Sequence, residues 1–275
     1  MRKTKIDWCD YTWNCASGCI NNCPYCYARK IALRFPKTYP NGWTPTFYPE
    51  RYEKKLPKKP SIIFINSMFD ILADIEYKTP NGYISYVKLW TLIYEKLKKY
   101  PQHFFLALTK QSNIDLINSF AGKMYDLKNF LLGLSLTQET KIYDWRAVRI
   151  FHFISAEPLD ITVLRNWMPA IVESKEWVII GCQTNPIRID VTREEILKIY
   201  DTLRTHDIPL FIKDPLRSKL DLNITEYPKV ILKHLGKSVR PTNWEKYRGL
   251  MRDVAPDKTA DEMTEWMIDT LGDEK

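Results

Sequence analysis

From residue 60 onward the chain alternates short apolar runs with longer stretches in which apolar side chains recur at helical spacing. Runs at 61–66, 104–108, 131–135, 151–155, 177–181 and 209–212 span four to six residues and are rich in Ile, Val, Leu and Phe, which predicts strands. The stretches 84–100, 113–120, 163–172 and 193–205 read as helices. The last is announced by Thr192 with Glu195 three residues on, the pattern of a capping box. The apolar runs are continuous instead of alternating, so both faces of each strand are expected to be buried, as in a parallel sheet covered by helices. A short strand just ahead of residue 19 brings the count to about seven βα units. The expected fold is α/β, an open or partial TIM-type (βα) barrel.

In such barrels the chemistry sits at the carboxyl ends of the strands. The polar residues that follow the runs are Asn66, Ser67 and Asp70; Thr109 and Lys110; Thr137, Gln138 and Glu139; Glu157; Cys182 and Gln183; and Lys213 and Asp214. All are expected to face one mouth. The rhythm breaks after residue 235, so the chain divides into a barrel at 1–235 and a C-terminal helical extension at 236–275. Thr259 with Glu262 caps that extension, and Met263, Trp266, Met267 and Leu271 form one apolar face expected to pack on the barrel.

The sharpest chemical pattern is Cys19-Ile-Asn-Asn-Cys23-Pro-Tyr-Cys26. Three thiols this close in sequence suit an iron–sulfur cluster in which one iron stays open to a further ligand. The run 27–34 reads as a helix whose positive end points at the thiols, which is expected to lower their pKa. Cys15 offers a different outcome, a closed four-thiolate zinc or electron-transfer site with Cys19, Cys23 and Cys26. Cys9 has no assigned role, and the four histidines lack ligand spacing and read as structural.

Composition narrows the class. With 45% hydrophobic and 13% aromatic residues the chain can build one substantial core. It has no apolar run long enough to span a membrane, and its amino terminus lacks the apolar segment of a secretion signal, so a soluble cytoplasmic protein without a membrane partner is expected. Four of the six cysteines crowd into residues 15–26, unlike a disulfide framework. The net charge of +8 is uneven: residues 253–275 hold eight acidic and two basic side chains, leaving +14 on the first 252. Residues 1–60 hold twelve Lys or Arg against four Asp or Glu, interleaved with Trp8, Tyr11, Trp13, Tyr25, Tyr27, Trp43, Phe47 and Tyr48. Cations beside stacking aromatics suit a DNA or RNA partner; a solvated lysine-rich face is the plainer reading.

The three-cysteine loop with Tyr25 before its last thiol resembles the signature of the radical S-adenosylmethionine (SAM) superfamily. Trp13-Asn14-Cys15, Cys26-Tyr27-Ala28, Asn66 to Asp70, Leu108-Thr109-Lys110, Ser155 to Pro158 and Phe211-Ile212-Lys213 resemble a narrower group, the DUF5131 (phage Gp37/Gp68-like) family of unassigned function, over roughly residues 4 to 215. Two departures are Cys15, where many members carry Pro, and a shorter gap between the first two cluster cysteines. The resemblance implies a partial barrel, a [4Fe-4S] cluster on Cys19, Cys23 and Cys26, and S-adenosylmethionine cleaved by one electron to a 5′-deoxyadenosyl radical. A reductant protein such as flavodoxin or ferredoxin would supply that electron. Tyr25 is expected beside the cofactor adenine. Ser67 or Asp70 is expected at its amino group, in place of the superfamily's Gly-Gly-Glu run, with Asn66, Thr109, Ser135 and Glu157 as further cofactor-binding candidates. Glu157 and Lys213 are expected deepest in the mouth, as substrate or cofactor contacts or as a mutual ion pair. Cys182 is either a core filler or a donor that returns a hydrogen atom to a substrate radical. A nucleic-acid base is the expected substrate; a small metabolite, a peptide, or a non-catalytic metal-binding module that binds nucleic acid are the alternatives.

Overall fold

The computed structural model describes residues 3–238, apart from 112, 139, 141–148, 175–176 and 185. Glu139 and the extension beyond residue 238, with its capping box and apolar face, lie outside the described residues.

Seven strands form one parallel sheet in chain order: β1 (Tyr11–Thr12), β2 (Ile62–Phe64), β3 (Phe104–Thr109), β4 (Phe130–Ser135), β5 (Phe153–Ala156), β6 (Trp177–Ile180) and β7 (Leu210–Ile212). Every pairing within it is parallel, as the continuous apolar runs require. The connecting helices include Tyr86–Lys98, Ile114–Met124 and Arg193–Thr205. The expected helix at 163–172 is two, Ile161–Asn166 and Met168–Ser174. Thr192 and Glu195 form the capping box in full.

The sheet curls into a half-barrel. Trp8, just ahead of β1, lies 6.3 Å from the ring of Trp177 on β6 and 4.9 Å from Phe64 on β2. In a flat sheet the first and sixth strands would stand about 24 Å apart. Side chains of β2 to β7 therefore alternate between two cores. Ile63, Phe105, Leu132, Ile154, Val178 and Leu210 face the helices, while Phe64, Leu106, Leu131, Phe153, Ile179 and Phe211 meet Trp8 inside. Gly133 makes room for that interior, because a Cβ there would sit 2.5 Å from the Phe153 ring. At the open seam the Asp214 backbone N–H donates to Asp7 Oδ2 at 3.1 Å, and Arg217 lies 3.8 Å from the same carboxylate.

Chain from residue 222 to 235 closes the amino-terminal end of the interior. Ile231 joins the inner core, Tyr227 packs on Trp177 and Phe211, and Trp177 Nε1 donates to the Glu226 carbonyl at 2.9 Å. The carboxyl ends of the strands are left as the accessible side. Two small sheets, unforeseen in the sequence, flank that side: a four-stranded one of Ala16–Ser17, Thr46–Phe47, Glu76–Thr79 and Gly82–Ser85, and a hairpin of Gln183–Thr184 with Ile187–Arg188. Their strands are two to four residues long, too short to carry a periodic signal. Among the described residues no helix is long and apolar enough to cross a membrane.

Candidate active site at the carboxyl ends of the strands

Upward along its inner face, the half-barrel changes from large apolar side chains to small and polar ones. Phe64 is followed by Asn66, Leu131 by Gly133 and Ser135, Phe153 by Ser155 and Glu157, Ile179 by Gly181, and Phe211 by Lys213. A cavity of about 450 Å³ opens over these upper positions. Its wall brings together Cys19, Cys23 and Cys26; Tyr25; Asn66, Ser67 and Asp70; Thr109 and Ser135; and Glu157, Cys182 and Lys213. The residues singled out as site candidates thus come from distant parts of the chain to one place.

The cysteine loop sits at the rim. Cys26 is the N-cap of helix α1 (Tyr27–Arg34), and its sulfur accepts from the Arg29 N–H at 3.4 Å. Cys19 Sγ accepts from the Asn21 N–H at 3.4 Å. The loop is anchored from below, where Gly18 N–H donates to the Met68 carbonyl at 3.0 Å and Asn14 bonds both Ser67 Oγ (2.9 Å) and Met68 N–H (3.0 Å). Gly18 must be glycine, since φ is +92° and a Cβ would lie 2.6 Å from the Pro45 backbone. The expected lowering of thiol pKa fails at Cys19. Burial, reinforced by the Asp70 carboxylate and by the neighbouring Cys23 and Cys26, pushes this thiol up to about 12. Cys15 is apart from this group, fully buried in the main core with Ala16 and Phe47.

Asn66 and Asp70 are more occupied than a ligand-binding role suggests. Asn66 bonds the backbone of Leu108 with both ends of its amide, extending the β2–β3 pairing by one step. Asp70 Oδ1 accepts from Thr109 Oγ1 (2.7 Å) and Leu72 N–H (3.0 Å), and Oδ2 from Lys110 N–H (2.9 Å) and Asn21 Nδ2 (2.7 Å). Four donors fill this buried carboxylate. Asn21 is also reached by Gln111 Nε2 at 2.7 Å. Asn21 lies inside the cysteine loop and Asn14 shortly before it, but no spacing signal marks their partners; only the fold brings Ser67, Asp70 and Gln111 to them.

Across the cavity, Tyr25 Oη donates to Thr137 Oγ1 at 3.2 Å, and its ring lies 5.6 Å from the Lys110 ammonium, which donates to Ser135 Oγ at 2.6 Å. Glu157 and Lys213 form a mutual ion pair, the alternative to free substrate or cofactor contacts, with Ser155 Oγ donating to the other Glu157 oxygen at 3.0 Å. Burial alone would depress the Lys213 pKa, but the Glu157 charge and hydrogen bond outweigh it, so the ammonium titrates above the ordinary lysine value. Cys182 is half-buried beside the pair, and burial raises its thiol pKa, so it is S–H at neutral pH.

Three soft thiol donors on one cavity fit an iron–sulfur cluster by chemistry. Among the described residues no three His, Cys, Asp or Glu side chains are gathered tightly enough to grip a single ion. In such a cluster Cys19, Cys23 and Cys26 would each hold a separate iron, so they would not need to converge as the ligands of one ion do.

Half-barrel and thiol-lined mouth together define an α/β protein with a cavity at the carboxyl ends of a parallel sheet. The chain belongs to the DUF5131 family, described as a protein of unknown function, whose profile matches residues 3–246. No curated protein and no solved structure matches it.

Proposed function

We propose that this protein is a radical SAM enzyme built on a partial TIM-type barrel. In this reading it works in the cytoplasm, with a [4Fe-4S] cluster on Cys19, Cys23 and Cys26 and a nucleic-acid base as substrate. The observation that carries the proposal is the meeting of these thiols, at the superfamily spacing, on the wall of one cavity with Tyr25, Glu157 and Lys213. When bound, cluster and S-adenosylmethionine together supply a 5′-deoxyadenosyl radical that abstracts hydrogen from substrate.

The chain's own residues would bind, orient and shield. Helix α1 directs its amino-terminal dipole toward the thiols, which favours an anionic group there. Tyr25 and Lys110 form a cation–aromatic wall suited to an adenine. The Glu157–Lys213 pair offers an acceptor and a donor for a ribose, a carboxylate or a phosphate. Asp70, with its four donors, acts in this reading as a positioning residue for the cysteine loop, leaving Ser67 as the candidate at the cofactor amino group.

Anaerobic reconstitution with iron and sulfide, then reduction with S-adenosylmethionine, tests the proposal by assay for 5′-deoxyadenosine. The nucleoside should form and should disappear in Cys23→Ala. Zinc, or a SAM-insensitive four-cysteine cluster that includes Cys15, would overturn it.

A further inference from the structure

Among the described residues ten large apolar side chains are exposed, and five of them fall between residues 20 and 35. Helix α1 explains the concentration. Only Ala28 and Ala32 are buried and Arg29 is half-buried, while Tyr27, whose hydroxyl donates to the Ser67 carbonyl at 2.9 Å, is 50% exposed, Ile31 36%, Leu33 62% and Phe35, just beyond, 49%. A helix with this much uncovered apolar surface is under-partnered for one that packs only on its own chain.

Its charge is one-sided. Between Asp10 and Glu50 there is no acidic residue, while Arg29, Lys30, Arg34 and Lys37 are basic. Among the described residues Lys30, Arg34 and Lys37 enter no ion pair, and the Arg34 guanidinium lies 5.6 Å from the Phe35 ring. Tyr27, Lys30, Ile31, Arg34 and Phe35 also line the mouth of the cavity. Anything large that reaches the cavity from this side passes over them. By contrast, Trp8, Trp13, Phe47 and Tyr48, aromatics that the sequence offers for stacking, are buried.

We propose that the α1 rim is a docking surface for single-stranded nucleic acid, with Phe35 and Tyr27 stacking on unpaired bases and Lys30 and Arg34 contacting phosphates. The inference rests on the reading of the cavity as a site for base chemistry and names the strand form that enters it. A polyanion complements the charge, and alternating cations and rings match the two repeating parts of a single strand. A paired duplex hides its base faces and would leave the exposed rings unused. An acidic redox protein is the competing occupant, but the residues concerned line the substrate mouth.

Binding of the full chain to a labelled single strand of about a dozen nucleotides, followed by fluorescence anisotropy across a salt series, is the test. The expected result is tighter binding of the single strand than of the matching duplex. Phe35→Ala should weaken it about tenfold. Lys30→Ala/Arg34→Ala should lower the slope of log K against log salt by about 1.4, two contacts' worth. All three positions are exposed, and unchanged thermal melting would verify folding of the variants. Absence of binding, equal duplex binding, or single-strand binding that both variants leave intact would overturn the proposal. So would loss in the variants of flavodoxin binding alone, which would make the rim an electron-donor dock. Wild type that produces 5′-deoxyadenosine but binds no strand would sink this inference and spare the radical enzyme; strand binding without the nucleoside would do the reverse.

Discussion

Asn21 Nδ2 donates to Asp70 Oδ2 at 2.7 Å, so a carboxylate just beyond β2 holds the loop that carries Cys19 and Cys23. The same carboxylate accepts from Thr109, the last residue of β3, and from Lys110 just after it, which ties two strand ends and the thiols into one unit. Asp70→Ala should strand several buried donors and cost about 2–4 kcal/mol. Asp70→Asn should be nearly as damaging, because one of its amide ends would present N–H to donors. Urea unfolding measures the stability loss, and iron bound per chain after reconstitution measures the loop. Wild-type iron loading in Asp70→Asn would show that the loop is held by its other anchors.

Glu157 and Lys213 face each other with about a fifth of each side chain exposed. Loss of one partner should therefore cost about 1–3 kcal/mol, less than for a fully buried pair. The Lys213 pKa is raised above 10.5, so its contribution is fully present below that value and is lost as pH rises through the raised one. Wild type should lose stability in strongly alkaline buffer more steeply than Lys213→Met, as read from melting temperatures over an alkaline pH series. Parallel slopes would mean that the pair contributes nothing to folding.

The capping box at Thr192 and Glu195 is legible in the sequence because its signal is local: two residue types three positions apart ahead of an apolar helix face. Six strands are legible for a related reason, since burial on both faces leaves continuous apolar runs that polar loops interrupt. The mouth follows from topology, because residues after parallel strands must share an end. The fine structure of the site does not follow. Asn21, Asn14 and Gln111 act through contacts 49 to 90 positions away in sequence, which no spacing rule reports. The two-residue strands are silent, and exposure of aromatics in the first 60 residues cannot be read from charge alone: Trp8 and Trp13 are core, Tyr27 is surface.

That same capping box gives an acid-side expectation. Hydrogen bonds from Thr192 hold the Glu195 carboxyl below its ordinary value, against a smaller burial effect in the opposite direction. Its stabilising contribution is present above about pH 4.5 and is lost as pH falls through the depressed value. Thr192→Ala should cost about 1 kcal/mol at neutral pH. The difference from wild type should shrink in acid, a comparison that chemical unfolding at neutral and low pH would make. A constant difference would assign the loss to the threonine hydroxyl alone.

Cys182 gives the last expectation, at the level of chemistry. It borders the cavity beside Lys213, and burial keeps it in the S–H form that a hydrogen-atom donor requires. Cys182→Ser preserves size and polarity but has a much stronger bond to hydrogen. If Cys182 returns hydrogen to a substrate radical, Cys182→Ser should still form 5′-deoxyadenosine, while product per deoxyadenosine falls and side products rise. Chromatography of both products in one reaction gives the ratio. An unchanged ratio would reduce Cys182 to a packing residue just beyond β6.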